Sequence, residues 1–137
     1  DLHASLTPSE MCIRDSSKLA GSVIGLESDS VLSAAATARL AEFGYDNVVI
    51  VSGELQAGYP SEAPYDVIVI EGAVDFVPDA LLSQLKDGGR LVAVEGRGNA
   101  GVARIYVKEN GVASGRGVFN TAVRPLPGFE RVPQFEF

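Results

Sequence analysis

Apolar positions along the chain fall into short continuous runs separated by stretches of helical spacing, the alternation expected of strands buried in a parallel sheet. Ser22–Glu27 (SVIGLE) is such a run and ends in an acid. Residues 29–43 then read as a helix. Ser28, Asp29 and Ser30 offer N-cap oxygens, Val31, Leu32, Ala35, Ala38, Leu40 and Phe43 form an approximate apolar face, and Gly44 stops it. Residues 48–51 are all β-branched and predict a second buried strand. Gly58-Tyr59-Pro60 and residues 61–64 break the chain before YDVIVI at 65–70, which Glu71-Gly72 terminates. A helix over 78–85 has Pro78 near its first turn, and Asp87-Gly88-Gly89 reverses the chain into a strand at 90–95.

The pattern changes after Gly101. Residues 102–108 alternate, Asn110-Gly111 is a hairpin turn, and 112–124 is extended and rich in glycine. The fold class that follows is α/β: a Rossmann-like, mostly parallel sheet with helices on both faces and a C-terminal antiparallel hairpin. At 137 residues one core suffices, so a single domain is expected. Residues 1–16 show neither period and precede a clean strand; Met11-Cys12-Ile13-Arg14-Asp15-Ser16 resembles translated adapter sequence. This segment is read as a non-native or disordered leader without function. The tail, 125–137, with three prolines and three phenylalanines, is expected to cross the sheet edge as a coil or to fray.

Composition narrows the chemistry. The net charge of −7, with scattered basic residues, argues against binding nucleic acid, which needs clustered cations. No apolar run approaches the ~18 residues of a membrane span and no signal peptide is visible, so a soluble, cytoplasmic protein is expected. Cys12 is the single cysteine, and no His, Cys, Met or Trp occurs from Ser17 onward. That excludes a His base, a Cys nucleophile and a His-ligated metal from the body of the chain, and no metal is expected. Ser52, Ser83 and Ser114 therefore lack the partner that a hydrolase triad needs.

Open parallel sheets bind ligands beyond the carboxyl ends of their strands, and here those ends carry acids and glycines: Glu27, Gly53-Glu54, Glu71-Gly72 and Glu95-Gly96. A carboxylate at Glu27 can accept hydrogen bonds from both hydroxyls of a ribose, although a solvated strand end is the plainer reading. Glu71 and Asp75 could pair for acid–base work, or cap the helix that follows. Gly96-Arg97-Gly98-Asn99-Ala100-Gly101 matches the dinucleotide fingerprint formally, but an alternating segment follows it where a helix is required.

In order and spacing, VIGLES at 23–28, DNV at 46–48, Gly53, APYDVIVI at 63–70 and LLSQLKDGGRLV at 81–92 resemble class I S-adenosylmethionine-dependent methyltransferases. Gly58-Tyr59-Pro60 ahead of Ala63-Pro64-Tyr65-Asp66, the LLSQLKDGGRLV segment and the closing hairpin narrow the resemblance to the protein-L-isoaspartate O-methyltransferase family. It covers about residues 18–127, so a partial methyltransferase domain is placed at 17–127 and a tail at 128–137. The resemblance implies S-adenosyl-L-methionine as cofactor and an isoaspartyl protein or peptide as acceptor. It implies that Glu27 holds the ribose hydroxyls with Ser28 beside it, that Gly53, Glu54 and Leu55 line the adenine, and that Glu71 and Gly72 face the methionine side. Glu54-Leu55 departs from the family's Gly-Asp-Gly.

Against the family, the first, central strand and its glycine-rich turn are missing, with residues 17–21 as the end of the helix that should follow. The gap would be roughly 9–10 Å, two inter-strand spacings, which the sheet must close by re-pairing, by borrowing the leader, or by staying split. A fragment with little or no activity is expected. The alternatives are a nicotinamide-dependent oxidoreductase, which needs a helix over 102–108, and a non-catalytic Rossmann-like binding module, which a dimer burying Ser22–Glu27 would support.

Overall fold

The computed structural model describes residues 2–5 and 10–131, with side chains from Asp15 onward. The elements are β1 (Leu2–Ser5), α1 (Glu10–Leu19), β2 (Ser22–Glu27), α2 (Ser30–Glu42), β3 (Val48–Ser52), β4 (Tyr65–Val74), α3 (Asp79–Leu82), β5 (Leu85–Glu95), β6 (Val102–Glu109) and β7 (Val112–Asn120). One seven-stranded sheet runs in the order β3-β2-β1-β4-β5-β6-β7. Pairing is parallel from β3 to β5 and antiparallel through β6 and β7. The expected α/β class and closing hairpin are present. From β1 the chain steps through β2 to β3, then crosses to β4 and steps the other way, so the order reverses between β1 and β4. Right-handed crossovers place α1 and α2 on one face and the segments after β3 and β4 on the other.

The central strand is not missing. Leu2–Ser5 occupies its place, pairing Ala4 with Ile24 on one side and with Ile68 on the other. Of the three ways to close the gap, the chain borrows the leader. A vacancy two spacings wide would leave two rows of backbone donors and acceptors unpaired, and one extended segment satisfies both. Residues 6–9, and the side chains of His3, Met11 and Cys12, lie outside the described residues.

β2 is buried through Val23 to Glu27 because β1 and β3 flank it. In α2 the predicted cap holds: Asp29 Oδ1 accepts from the Val31 and Leu32 amides at 2.8 and 3.2 Å. Gly44, at φ +75°, ends the helix as expected. The predicted apolar face does not hold. Ser33, Ala36 and Leu40 are buried, whereas Val31, Leu32 and Phe43 are exposed. Apolar residues occur all round this alanine-rich helix, so periodicity selects no face; the small side chains at 33 and 36 let it sit close to the sheet.

The predicted helix over 78–85 is a single turn. Gln84 already leaves it, buried, with Nε2 donating to the carbonyls of Ala57 (2.8 Å) and Ala80 (3.0 Å) and Oε1 accepting the Tyr59 amide at 3.0 Å. Asp87-Gly88-Gly89 is not a turn before a strand but an excursion within β5, since Tyr65 pairs with Leu85 and Val67 with Arg90. Glu71-Gly72 likewise does not end β4; it lies in a register shift between Val69 and Ala73. The Asn110-Gly111 turn has positive φ at both residues (52° and 79°), the twist that joins two antiparallel strands.

Ile24, Leu26, Ile68, Ile70, Leu91 and Ala93 form the floor of the core, and Leu55, Leu81 and Tyr65 pack on it. Tyr65 is 1% exposed and its hydroxyl donates to the Tyr59 carbonyl. Burial first, then the charges of Glu62 and Tyr59, push its phenol from 10.0 up to about 12. Because the folded state holds this proton longer than the unfolded chain, the associated stability is complete below pH 10 and is lost as pH rises toward 12. Ultraviolet titration of the four tyrosines should show a late step near pH 12. A Tyr65→Phe variant that retains this step would refute the assignment.

Candidate functional site

The sheet reverses its strand order between β1 and β4, and in open α/β sheets ligands bind outside the carboxyl ends at that point. Two groups of nominated residues flank it. On the β2–β3 side, Glu27 stands opposite Ser52 in register, and the Gly53 amide donates to the Glu27 carbonyl at 3.1 Å. Glu27 is 7% exposed. Its Oε1 accepts the Asp29 amide at 3.1 Å, which fixes the carboxylate at the strand end. Ser28 beside it is exposed. Glu27, Ser28 and Gly53 are thus brought together. Glu54 follows in solvent, but Leu55 turns inward and is buried against Ile24 and Leu26.

On the β4 side, Glu71 is half-buried and Gly72 is covered. A Cβ at Gly72 would stand 2.4 Å from Leu126 Cγ, so the chain near the C-terminus already rests on this position. The contact belongs to a segment that sequence reading treated as a coil or a frayed end. Ala73 donates to the Arg124 carbonyl (3.0 Å) and accepts from Leu126 (2.8 Å), and Phe129 is 1% exposed within the core. Two prolines and a glycine around Leu126 and Phe129 were the available signal; it marks a fixed path but not a destination. Tail residues 132–137 lie outside the described residues.

Asp75 does not pair with Glu71 for acid–base work. Its Oδ1 accepts Arg97 Nε at 2.8 Å and its Oδ2 accepts the Arg131 amide at 2.9 Å. The Arg131 amide and then the Arg97 side chain hold the carboxyl below its ordinary 3.8. A lowered carboxyl pKa gives these contacts full strength above the ordinary value and removes them only as pH falls through the folded one. At β5, Tyr106 donates to Glu95 Oε1, while Arg104 Nε lies 3.6 Å from Oε2, so this strand-end acid is already engaged. Burial, then Glu95, raises the Tyr106 phenol.

The Gly96–Gly101 fingerprint leads into a single turn at Gly98–Ala100 and then into β6. No helix follows, so the oxidoreductase reading loses the structure it required. β2 lies inside the sheet between β1 and β3, so its pairing edges are taken within the chain and not by a dimer. Among the described residues no cluster of three or more metal-binding side chains occurs, and no helix is long and apolar enough to cross a membrane.

The topology defines the chain as a Rossmann-like α/β fold with an acid at the carboxyl end of its second strand. A match to the model of the Protein-L-isoaspartate(D-aspartate) O-methyltransferase family spans residues 9–128, and the chain belongs to that family. A protein-L-isoaspartate O-methyltransferase of Rhodopseudomonas palustris is 44% identical over 75 residues, 55% of this chain and 34% of its own length. Protein-L-isoaspartate O-methyltransferase 2 of a Polaromonas species is 36% identical over 112 residues, 80% of this chain and 53% of its own. The chain therefore spans about a third to a half of the length of these relatives. A solved protein-L-isoaspartate O-methyltransferase superposes with a TM-score of 0.84 at 24% identity, over 93% of this chain and 42% of that one. A Plasmodium falciparum structure described as a protein of the same kind, in complex with S-adenosyl-L-homocysteine, gives 0.73 at 17% identity over 91% and 65%. At these identities the superpositions speak for the fold.

Proposed function

We propose that the chain is the core of an S-adenosylmethionine-dependent carboxyl methyltransferase of the isoaspartyl-repair type, with weak or no turnover on its own. The observation that carries this reading is the buried, oriented Glu27 carboxylate at the end of β2, next to the Gly53 turn and beside the point of strand reversal. Among the described residues Oε2 of Glu27 takes no bond, so a ribose diol can reach it while the Asp29 amide holds Oε1. Family membership and the Plasmodium relative's ligand support the same cofactor. When bound, S-adenosylmethionine supplies a sulfonium methyl that a carboxylate can take by in-line displacement.

A carboxylate acceptor, with a reference pKa of about 4, is ionised at neutral pH, so the lack of histidine beyond His3 is no obstacle. The protein's part is to bind, to orient and to exclude water, effects that can supply roughly 7–11 kcal/mol when the geometry is complete. In this reading Glu27 and Gly53 supply the ribose side. The adenine side has Glu54 in solvent and Leu55 turned into the core, and the sequence between β1 and α1 (LTPS, 6–9) contains no glycine to let backbone approach a ligand closely. The acceptor, by family, is an isoaspartyl residue in a protein or peptide. Calorimetry with S-adenosylhomocysteine tests the reading: measurable but weak binding is expected. No binding at millimolar ligand would overturn the cofactor assignment, and tight binding with rapid turnover would overturn the expected weakness.

A further inference from the structure

β7 (Val112–Asn120) ends the sheet with β6 on one side and, among the described residues, no strand on the other. The Asn110-Gly111 loop fixes which backbone groups meet β6. It joins the paired residues Glu109 and Val112, and residues flanking so tight a loop exchange both hydrogen bonds. Alternation along the strand then turns the backbone groups of Val112, Ser114 and Arg116 toward β6, and those of Ala113, Gly115 and Gly117 outward. The outward residues are small, and β7 holds no proline, lysine or acid; Arg116 is its one charge. Exposed edges are ordinarily blunted by such residues, since an unpaired ladder templates another strand. The one such device here is a bulge at Val118, between the pairs Arg104–Gly117 and Ala103–Phe119, and it leaves the stretch before it regular.

The strand is nearly symmetric in residue type about Gly115. Val112-Ala113-Ser114 on one side is answered by Arg116-Gly117-Val118 on the other, polar for polar, small for small and apolar for apolar. A two-fold interface needs such self-complementarity, because each residue i that meets j is matched by a j that meets i. We propose that β7 is the docking edge for a second copy of this chain, the two strands pairing antiparallel about Gly115 into one continuous sheet. Gly115 then lies opposite its counterpart and Ala113 opposite the partner's Gly117, so every outward group between them is paired. Arg116 faces the partner's Ser114 and not a second arginine. A cleft of about 340 Å³ adjoins the same edge, walled by Leu82, Val112 and Ala113 and flanked by Asp79 and Lys108. The register brings Val118 of the second copy, 50% exposed in the single chain, to the mouth of that cleft beside Val112, itself 68% exposed. On the cleft's face of the sheet the Tyr106 ring already lies over Gly115, where a Cβ would stand 2.5 Å from Tyr106 Cε1.

A short ladder and one filled cleft make a small interface, for which a dissociation constant of about 10–100 µM is expected. Each chain carries a net charge of −7, so the dimer should tighten as salt screens the repulsion. Sedimentation velocity and hydrogen exchange on wild type, Ala113→Pro, Val118→Lys and Val49→Lys test the proposal. Wild type should pass from one chain to two as concentration rises. Over the same range the Ala113, Gly115 and Gly117 amides should gain protection, while those of Val112, Ser114 and Arg116 are protected throughout. Ala113→Pro deletes an outward donor at a place an edge strand tolerates, twice per dimer, and should weaken association about tenfold. Val118→Lys, which puts a charge into the contact, should do the same and decides the matter should the proline unfold β7. Val49→Lys, on the opposite edge strand β3, should change nothing. A chain that stays monomeric at millimolar concentration overturns the proposal, and so does a dimer that survives both β7 variants or leaves the outward amides exchanging freely. None of these readouts involves a cofactor, so they stand apart from the methyltransferase reading.

Discussion

Phe129→Ala is expected to lower the unfolding free energy by about 3–5 kcal/mol, the range for deleting a fully buried aromatic side chain. Phe129 lies beyond the last strand, in a stretch whose composition suggests a passive coil, yet it is 1% exposed and packs in the same cluster as Leu55, Tyr65 and Leu81. Truncation removes its dispersion contacts and leaves a void beside residues held by the sheet, which relax only partly. It also loosens Leu126 from Gly72, so the effect should exceed that of a core position with one neighbouring element. Urea denaturation of both proteins measures it. A loss below about 0.5 kcal/mol, typical of surface substitutions, would show that the segment is not part of the core.

Glu27→Gln should weaken S-adenosylhomocysteine binding about 10- to 100-fold, since hydrogen bonds to a charged group are worth about 1.5–3 kcal/mol and each 1.4 kcal/mol is a factor of ten. The amide keeps the shape of the side chain and an oxygen for the Asp29 amide, so the strand end stays formed and stability should change little. What is lost is the second acceptor oxygen and the negative charge, the two features a ribose diol uses. Calorimetry at matched ligand concentrations separates the outcomes. Equal affinity in the two proteins would remove Glu27 from the site and leave it as a structural acid at the end of β2.

Much of this arrangement was legible in residues that act over short distances. The β-branched and apolar runs at Ser22–Glu27, Val48–Ser52 and the start of Tyr65–Val74 are strands, Asp29 caps α2, and Asn110-Gly111 turns the hairpin. Glu27 was legible as a strand-end acid for the same reason. The buried face of α2 was not, because its alanines spread apolar surface round the helix and only the neighbouring sheet selects Ser33 and Ala36. The excursion at 87–89 was misread as a plain turn since glycines mark a change of direction without saying whether pairing resumes in the same strand. Asp75 stood open between half of a carboxylate pair and a cap on the following helix, and its actual partners were not legible because Arg97 and Arg131 are 22 and 56 residues away.

Neighbouring residues fix the type of most elements, the parallel-then-antiparallel order and the placing of acids at strand ends, because backbone sterics, capping and turn chemistry operate within a few residues. That Leu2–Ser5 becomes the central strand, and that residues 124–131 close over Gly72 with the Arg131 amide bonded to Asp75, follows from long-range packing alone. Both outcomes depend on backbone donors and acceptors left over once the local elements have formed. Which distant segment satisfies them is settled by geometry in three dimensions, not by any period along the chain.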